Sequence, residues 1–282
     1  MKTRLYGPGG REVVIGDDAP TVIIGERINP FGKNGIKEAL EKKDMDPILR
    51  IAEEQIADGA DVLNVSVGAF GIDEAAVLPF VVEHIAKRFD VPLCLESRNP
   101  VALKRALDTG CGKPLINSVS GEMPVMEQLL PIVKEYNVAV VLIASDGKGI
   151  PKDPDRRFKI IEDILTHTDR EGIPREDIVV DTIVDSVALN AKAALNTFET
   201  MKMVRSAWNL NLILGASNIS YGLPLRSFIN IVFLSIAINY GLTCAITNPK
   251  ILKPYIMAAD LVAGKDSLAR RYTAFCKGLK SR

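Results

Sequence analysis

The feature that most constrains this chain is a repeated texture. Short apolar runs, TVIIGE (21–26), VLNVSVG (62–68), PLCLES (92–97), PLINSV (114–119), AVVLIAS (139–145), IVVDTI (178–183), NLILGAS (211–217) and CAIT (244–247), alternate with longer amphipathic segments. The runs are β-rich and nearly continuous in apolar character, as strands covered on both faces of a parallel sheet must be. Between them the patterns predict helices over 47–58, 74–88, 100–108, 123–136, 154–170, 188–206, 224–239 and 251–262. The first is set by Asp46 as cap and Pro47 at the first helical position. About eight strand–helix units is the number that closes a (β/α)8 TIM barrel, and 282 residues suits one. A doubly wound open sheet is the structural alternative, but its binding half usually needs fewer strands. No linker rich in Pro, Gly or Ser splits the chain, so a single domain is expected over 1–282. Residues 1–20 would form an N-terminal β-hairpin, 21–264 the barrel and 265–282 an extra C-terminal helix. The hairpin is read from TRLYGPGGREVVIG (3–16), with a turn at Gly7-Pro8-Gly9-Gly10, and is expected to cover the barrel floor.

Composition removes several function classes. Lys+Arg and Asp+Glu are equal at 35 each, which argues against nucleic-acid binding, where affinity comes mostly from cations on phosphates. The short basic pairs Lys42-Lys43 and Arg156-Arg157 each adjoin an Asp and read as solvated surface. The stretch 227–249 carries no charge, but Asn230, Asn239, Gly241 and Asn248 interrupt it. A buried helix followed by a buried strand is expected there, and no membrane span. The N-terminus MKTRLYGPGG has no apolar core for a signal peptide. Cys94, Cys111, Cys244 and Cys276 form no Cys-x-x-Cys pair, and His84 and His167 sit in charged helical contexts. A reduced, cytoplasmic chain without disulfides, zinc or any tightly bound metal is expected.

In barrels of this kind chemistry gathers at the C-terminal ends of the strands. Those ends carry Glu26-Arg27-Ile28-Asn29, Asn64 and Ser66, Glu96-Ser97-Arg98-Asn99, Asn117-Ser118, Asp181, and Ser217-Asn218-Ile219-Ser220. The set is rich in carboxylates and carboxamides, with no histidine, cysteine or lysine nucleophile. It suits a neutral heterocycle with donors and acceptors along its edge. A phosphorylated substrate fits less well, because the loop after the last strand begins Thr247-Asn248-Pro249 and lacks glycine. Any one such Asp or Asn can be only a turn former or a helix cap. Asp181 stands apart, since it interrupts Ile178-Val179-Val180 before Thr182-Ile183-Val184, and a carboxylate in a buried strand must be paired or hydrogen-bonded.

At these strand ends the chain resembles the pterin-binding methyltransferases. These comprise the methyltetrahydrofolate:corrinoid protein methyltransferases, the folate domain of cobalamin-dependent methionine synthase and the methylcorrinoid:tetrahydrofolate methyltransferases. The matching pieces are IIGERINPFG (23–32), CLESRN (94–99), INS (116–118), GIPKDPDRR (149–157), VDT (180–182) and GASNISYGLPLR (215–226), in that order. The resemblance implies a pterin in the barrel mouth. Asp181 would hold the ring's nitrogen 3 and exocyclic amine, Glu96 and Asn117 other parts of the edge, and Asn218 the methyl-bearing nitrogen 5. Asn64, Ser220 and Arg226 complete the implied pterin set, with Asn218 as the catalytic residue. Two positions depart from the pattern, which usually has Asp at Glu96 and Asp-x-Asn at Asn64-Val65-Ser66.

The expected activity is methyl transfer between a corrinoid (cobalamin) protein and tetrahydrofolate, with methylcorrinoid as donor in an anaerobic demethylation system. Transfer in the opposite direction and a non-catalytic pterin-binding subunit are the alternatives. Dihydropteroate synthase, which shares the fold, is disfavoured because its Ser-Arg-Pro-Gly loop and its late Lys and Arg-x-His elements are not found. The corrinoid is expected on a separate, transiently bound protein, since neither histidine lies in an Asp-x-His-x-x-Gly loop. The loop KGIPKDPDRR (148–157), with Arg156 and Arg157, would be its docking rim. Relatives imply a homodimer.

Overall fold

The computed structural model describes residues 1–32 and 35–280. Two short strands, β1 (Lys2–Tyr6) and β2 (Glu12–Gly16), pair antiparallel as the opening hairpin. Eight parallel strands then close a barrel: β3 (Val22–Ile28), β4 (Val62–Ser66), β5 (Leu93–Glu96), β6 (Leu115–Ser120), β7 (Ala139–Ile143), β8 (Ile178–Asp181), β9 (Asn211–Gly215) and β10 (Cys244–Thr247), with β10 pairing back to β3. Each lies within one of the eight apolar runs or overlaps it.

The helices are α1 (Ile36–Lys42), α2 (Met45–Ala57), α3 (Glu74–Arg88), α4 (Pro100–Leu107), α5 (Met123–Glu135), α6 (Pro154–Glu171), α7 (Ala193–Trp208), α8 (Arg226–Asn239), α9 (Pro249–Val262) and α10 (Arg270–Lys280). Residues 281 and 282 of the expected C-terminal helix lie outside the described residues. α1 was not anticipated. α2 begins two residues early, because the cap is Asp44, whose side chain accepts from the Asp46 N–H at 3.2 Å. Pro47 sits inside the first turn, where a missing N–H costs nothing. α7 begins five residues late, because Ser186 ties the preceding segment into turns through the Ala188 and Leu189 amides and the Tyr221 carbonyl.

Strand alternation sorts the side chains into two cores. Outward residues such as Ile23, Leu63, Leu95, Ile116, Val140, Val180, Leu212 and Ala245 pack under the helices. Inward residues Val22, Ile24, Val62, Cys94, Leu115, Ala139, Val141, Val179, Ile213 and Cys244 fill the barrel interior. Leu5, Val13 and Ile15 of the hairpin join this second cluster, and Asn211 Nδ2 at the base of β9 donates to Thr3 Oγ1 (3.0 Å) and to the Ile15 carbonyl (3.1 Å). The hairpin is therefore the barrel floor.

α8 corrects one expectation. It is buried on one face only, through Phe233, Leu234, Ala237 and Ile238, while Phe228 (63%), Val232 (60%) and Ile236 stay exposed. An outer-ring helix can bury a single stripe against the sheet, so apolarity all round leaves the other side uncovered. Among the described residues no helix is long and apolar enough to cross a membrane.

Candidate active site

Two residues further along each strand, the inward positions change character. Above the apolar layer come Glu26, Asn64 and Ser66, Glu96, Asn117, Asp181 and Gly215, with Ile143 and Ile246 among them, and all line one cleft of about 780 Å³ at the mouth. The same alternation that builds the core thus aims these side chains inward. Register shifts fall between Gly25 and Ile28 on β3 and between Asn117 and Val119 on β6, where the ladder breaks beside residues that face the cleft. The first is held by Gln55 of α2, whose Oε1 accepts from the Arg27 N–H at 2.8 Å. A Cβ on Gly25 would stand 2.6 Å from that oxygen, so any larger residue would push Gln55 off the Arg27 N–H.

Of the sequence-derived set, Asp181, Glu96, Asn117, Asn218, Asn64 and Arg226 meet in this cleft. Ser220 does not line it. It is fully buried behind it, accepting from Arg226 Nε at 3.0 Å, while Arg226 Nη2 donates to the Ser217 carbonyl at 2.6 Å. Ser220 therefore steadies Arg226. Asn99 and Asn248 are caps of α4 and α9, the plain reading of a polar strand end. His84 and His167 bond carbonyls within their own helices and do not line the cleft.

Glu26, which the sequence places at a strand end without a role in the implied pterin set, also lines the cleft. Both its oxygens accept from Ser217 Oγ, at 2.9 and 3.0 Å. Burial pushes its carboxyl above the usual range, opposed by the Ser217 hydroxyl and the Arg226 charge. The signal was available in IIGERIN, where a carboxylate sits in phase with the inward Ile24. Phe31, Ile143 and Ile246 also line the cleft, and a search for polar strand ends passes over such residues.

Asp181 is the most perturbed carboxylate of the cleft. Burial pushes it up to about 6, against the Ile183 N–H, which donates to Oδ1 at 2.8 Å, and the nearby Arg157 charge. The two departures from the family pattern are partners: Asn64 Nδ2 donates to Glu96 Oε2 at 2.6 Å, and Asn64 Oδ1 is buried without a partner among the described residues. With an amide at 64, Glu96 gains a hydrogen-bond donor where a second carboxylate would offer none.

Arg157 is not on a docking rim. It is fully buried, with Nε on the Pro151 carbonyl and Nη1 on the Thr182 and Ile183 carbonyls, while its neighbour Arg156 faces solvent and pairs with Asp146. Pro154 opens α6, and helical phase then turns adjacent residues to opposite sides.

The family model of the pterin binding enzymes matches residues 25–248. The chain belongs to that family. This pterin binding enzyme is 29% identical over 267 residues to a methylcorrinoid:tetrahydrofolate methyltransferase of Eubacterium limosum, covering 91% of this chain and 97% of the relative. It is also 29% identical over 250 residues to the methionine synthase of Mycobacterium tuberculosis, covering 84% of this chain but only 21% of that protein. Among solved structures, a dihydropteroate synthase from Coxiella burnetii in complex with pteroic acid superimposes with a TM-score of 0.71 at 18% identity, covering 94% of this chain and 100% of that one. That likeness is one of fold.

Proposed function

We propose that the chain is a methyltransferase moving a methyl group between a corrinoid carried by another protein and nitrogen 5 of tetrahydrofolate, with methylcorrinoid as the donor in an anaerobic demethylation pathway. The observation that carries this reading is the convergence of Asp181, Glu96, Asn117 and Asn218 on one cleft, at the places where the methyltransferase resemblance puts its pterin ligands. The likeness to a methylcorrinoid:tetrahydrofolate methyltransferase over nearly the whole of both chains supports the direction.

The donor set fits a reduced pterin. Asp181, with one oxygen steadied by the Ile183 N–H, presents an acceptor to nitrogen 3 and the exocyclic amine, and charge-assisted pairs are roughly twice as strong as neutral ones. Glu96 and Asn117 offer an acceptor and an amide to other parts of the edge. Asn218 lies in the turn after β9 whose preceding residue, Ser217, is fixed by Glu26 and Arg226. Its amide can accept from nitrogen 5 while that atom bears a proton and donate to it afterwards, so one side chain serves both ends of the transfer. The methyl passes to nitrogen 5 without its bonding electrons, which stay on cobalt, and the nitrogen 5 proton leaves. No protein nucleophile is needed, and no histidine, cysteine or lysine lines the cleft among the described residues.

The chain acts as one domain in a cytoplasmic, reduced setting and as a homodimer. The exposed apolar side of α8, with Phe228, Val232 and Ile236, is the face to cover in a dimer. Light scattering should give twice the 30.7 kDa chain mass, and Val232→Asp should give the monomer.

The test of function is spectroscopic. Purified protein with tetrahydrofolate and free methylcobalamin should slowly convert methyl-Co(III) to Co(I) and form methyltetrahydrofolate. Pterin affinity without that change would leave only a binding subunit. Faster reaction from methyltetrahydrofolate and Co(I) would reverse the direction.

A further inference from the structure

Arg157 is the largest fully buried side chain of the described residues, and it does not line the cleft. A guanidinium is costly to bury, and this one forms no ion pair among the described residues, although the charges of Asp185 and Asp181 lie near enough to act on it. It is spent on backbone: Nη1 reaches the carbonyls of Thr182 (3.1 Å) and Ile183 (3.0 Å), and Nε that of Pro151 (2.7 Å), while Nη2 is buried without a partner among the described residues. Thr197 of α7 donates its hydroxyl to the same Ile183 carbonyl at 2.7 Å. Ile183 has φ of 61°, the left-handed region that a β-branched residue avoids. Its N–H, which shares a peptide plane with the Thr182 carbonyl that Arg157 holds, is the donor to Asp181 Oδ1.

These contacts form a chain of dependence. The direction of the Asp181 carboxylate follows from the Ile183 N–H, that N–H from the 182–183 peptide plane that Arg157 grips at the Thr182 carbonyl, and the left-handed Ile183 beyond it is held by Arg157 and Thr197 on its own carbonyl. We propose that Arg157, with Thr197, is a positioning residue that holds the 181–183 turn and so aims the pterin-binding carboxylate from outside the cleft. The proposal rests on the assignment of Asp181 as pterin ligand. Arg157 also brings a positive charge to the rear of Asp181. Among the described residues, the other charged or titratable groups around that carboxylate are Asp185 beside Arg157, Cys244 of β10, and Glu26, Arg27, Glu96, Arg98 and Arg226 in the cleft. The flanking strands contribute Ile143 and Ile213 opposite Asp181.

The test uses the full-length protein with carbon-13-labelled aspartate, the Asp181 carboxyl being assigned by its loss in Asp181→Asn. Arg157→Gln removes the charge, so the Asp181 titration midpoint should rise by about half a pH unit or more, and tetrahydrofolate affinity at pH 7.5 should fall about tenfold by calorimetry. Arg157→Lys keeps the charge without the planar fork, so affinity should fall with little change in midpoint. Thr197→Val should weaken tetrahydrofolate binding about threefold at an unchanged midpoint. A folded Arg157→Gln protein with wild-type midpoint and affinity, whatever its loss of thermal stability, would overturn the proposal. If that variant does not fold, wild-type affinity in Thr197→Val overturns it. Should the wild-type protein bind no tetrahydrofolate, the pterin assignment fails, and the apo titration still decides whether Arg157 governs Asp181.

Discussion

Asp181 works against the fold that holds it. Its carboxyl sits near 6, above the roughly 3.9 of an unfolded aspartate, because burial penalises the charge. A group raised in this way lends its full stability below the unfolded value, and loses it as pH rises through the folded one. Asp181→Asn is neutral throughout, so it should stabilise the ligand-free protein at pH 7.5 by up to about 3 kcal/mol and change little at pH 4, read by denaturant titration. The same variant should lose about 1.5–3 kcal/mol of tetrahydrofolate affinity. Opposite signs on stability and binding are the mark of a functional carboxylate, and equal losses in both would mark a structural one. Asn218→Ala should lower kcat about ten- to a hundredfold with a smaller effect on KM, as an interaction that strengthens in the transition state does. A change confined to KM would reduce Asn218 to binding. At this scale the sequence was readable where a polar residue broke an apolar run, as at Asp181. It was not readable for Ser220, where a neighbour in a short turn points away from the cleft, nor for Arg157, whose charge gave no hint of burial.

The elements were legible in proportion to their periodicity. Strands covered on both faces are continuous apolar runs, and all of them were found within a few residues. The short α1 and the start of α7 were missed because turns made by side chains such as Ser186 leave no periodic trace. The hairpin was visible through its glycine–proline turn, and the structure makes it a structural plug. Leu5 is fully buried within the lower cluster, away from the polar layer. Leu5→Ala should cost about 2–5 kcal/mol in urea unfolding and leave tetrahydrofolate affinity as it was. A parallel loss of affinity would mean that the floor and the mouth are coupled through the interior.

For the whole molecule, fold and function part company. The superposition on a dihydropteroate synthase at 18% identity reports the barrel, and the strand ends decide the chemistry. With Arg157 buried, the proposed docking rim reduces to Arg156 on the solvent side, and if a methyl carrier docks there, Arg156→Glu should slow turnover with the carrier protein while sparing turnover with free methylcobalamin. Equal loss with both would remove Arg156 from docking. The hairpin floor has a kinetic consequence. Hairpin and packed interior together leave the cleft opening, among the described residues, at the mouth alone, the doorway where on the proposed function the pterin would enter and the carrier would sit. On the proposed function that geometry predicts an order of events: folate first, carrier second, and carrier away before product leaves. Initial-rate patterns should show an ordered ternary complex, and an excess of carrier should slow turnover by keeping the doorway shut.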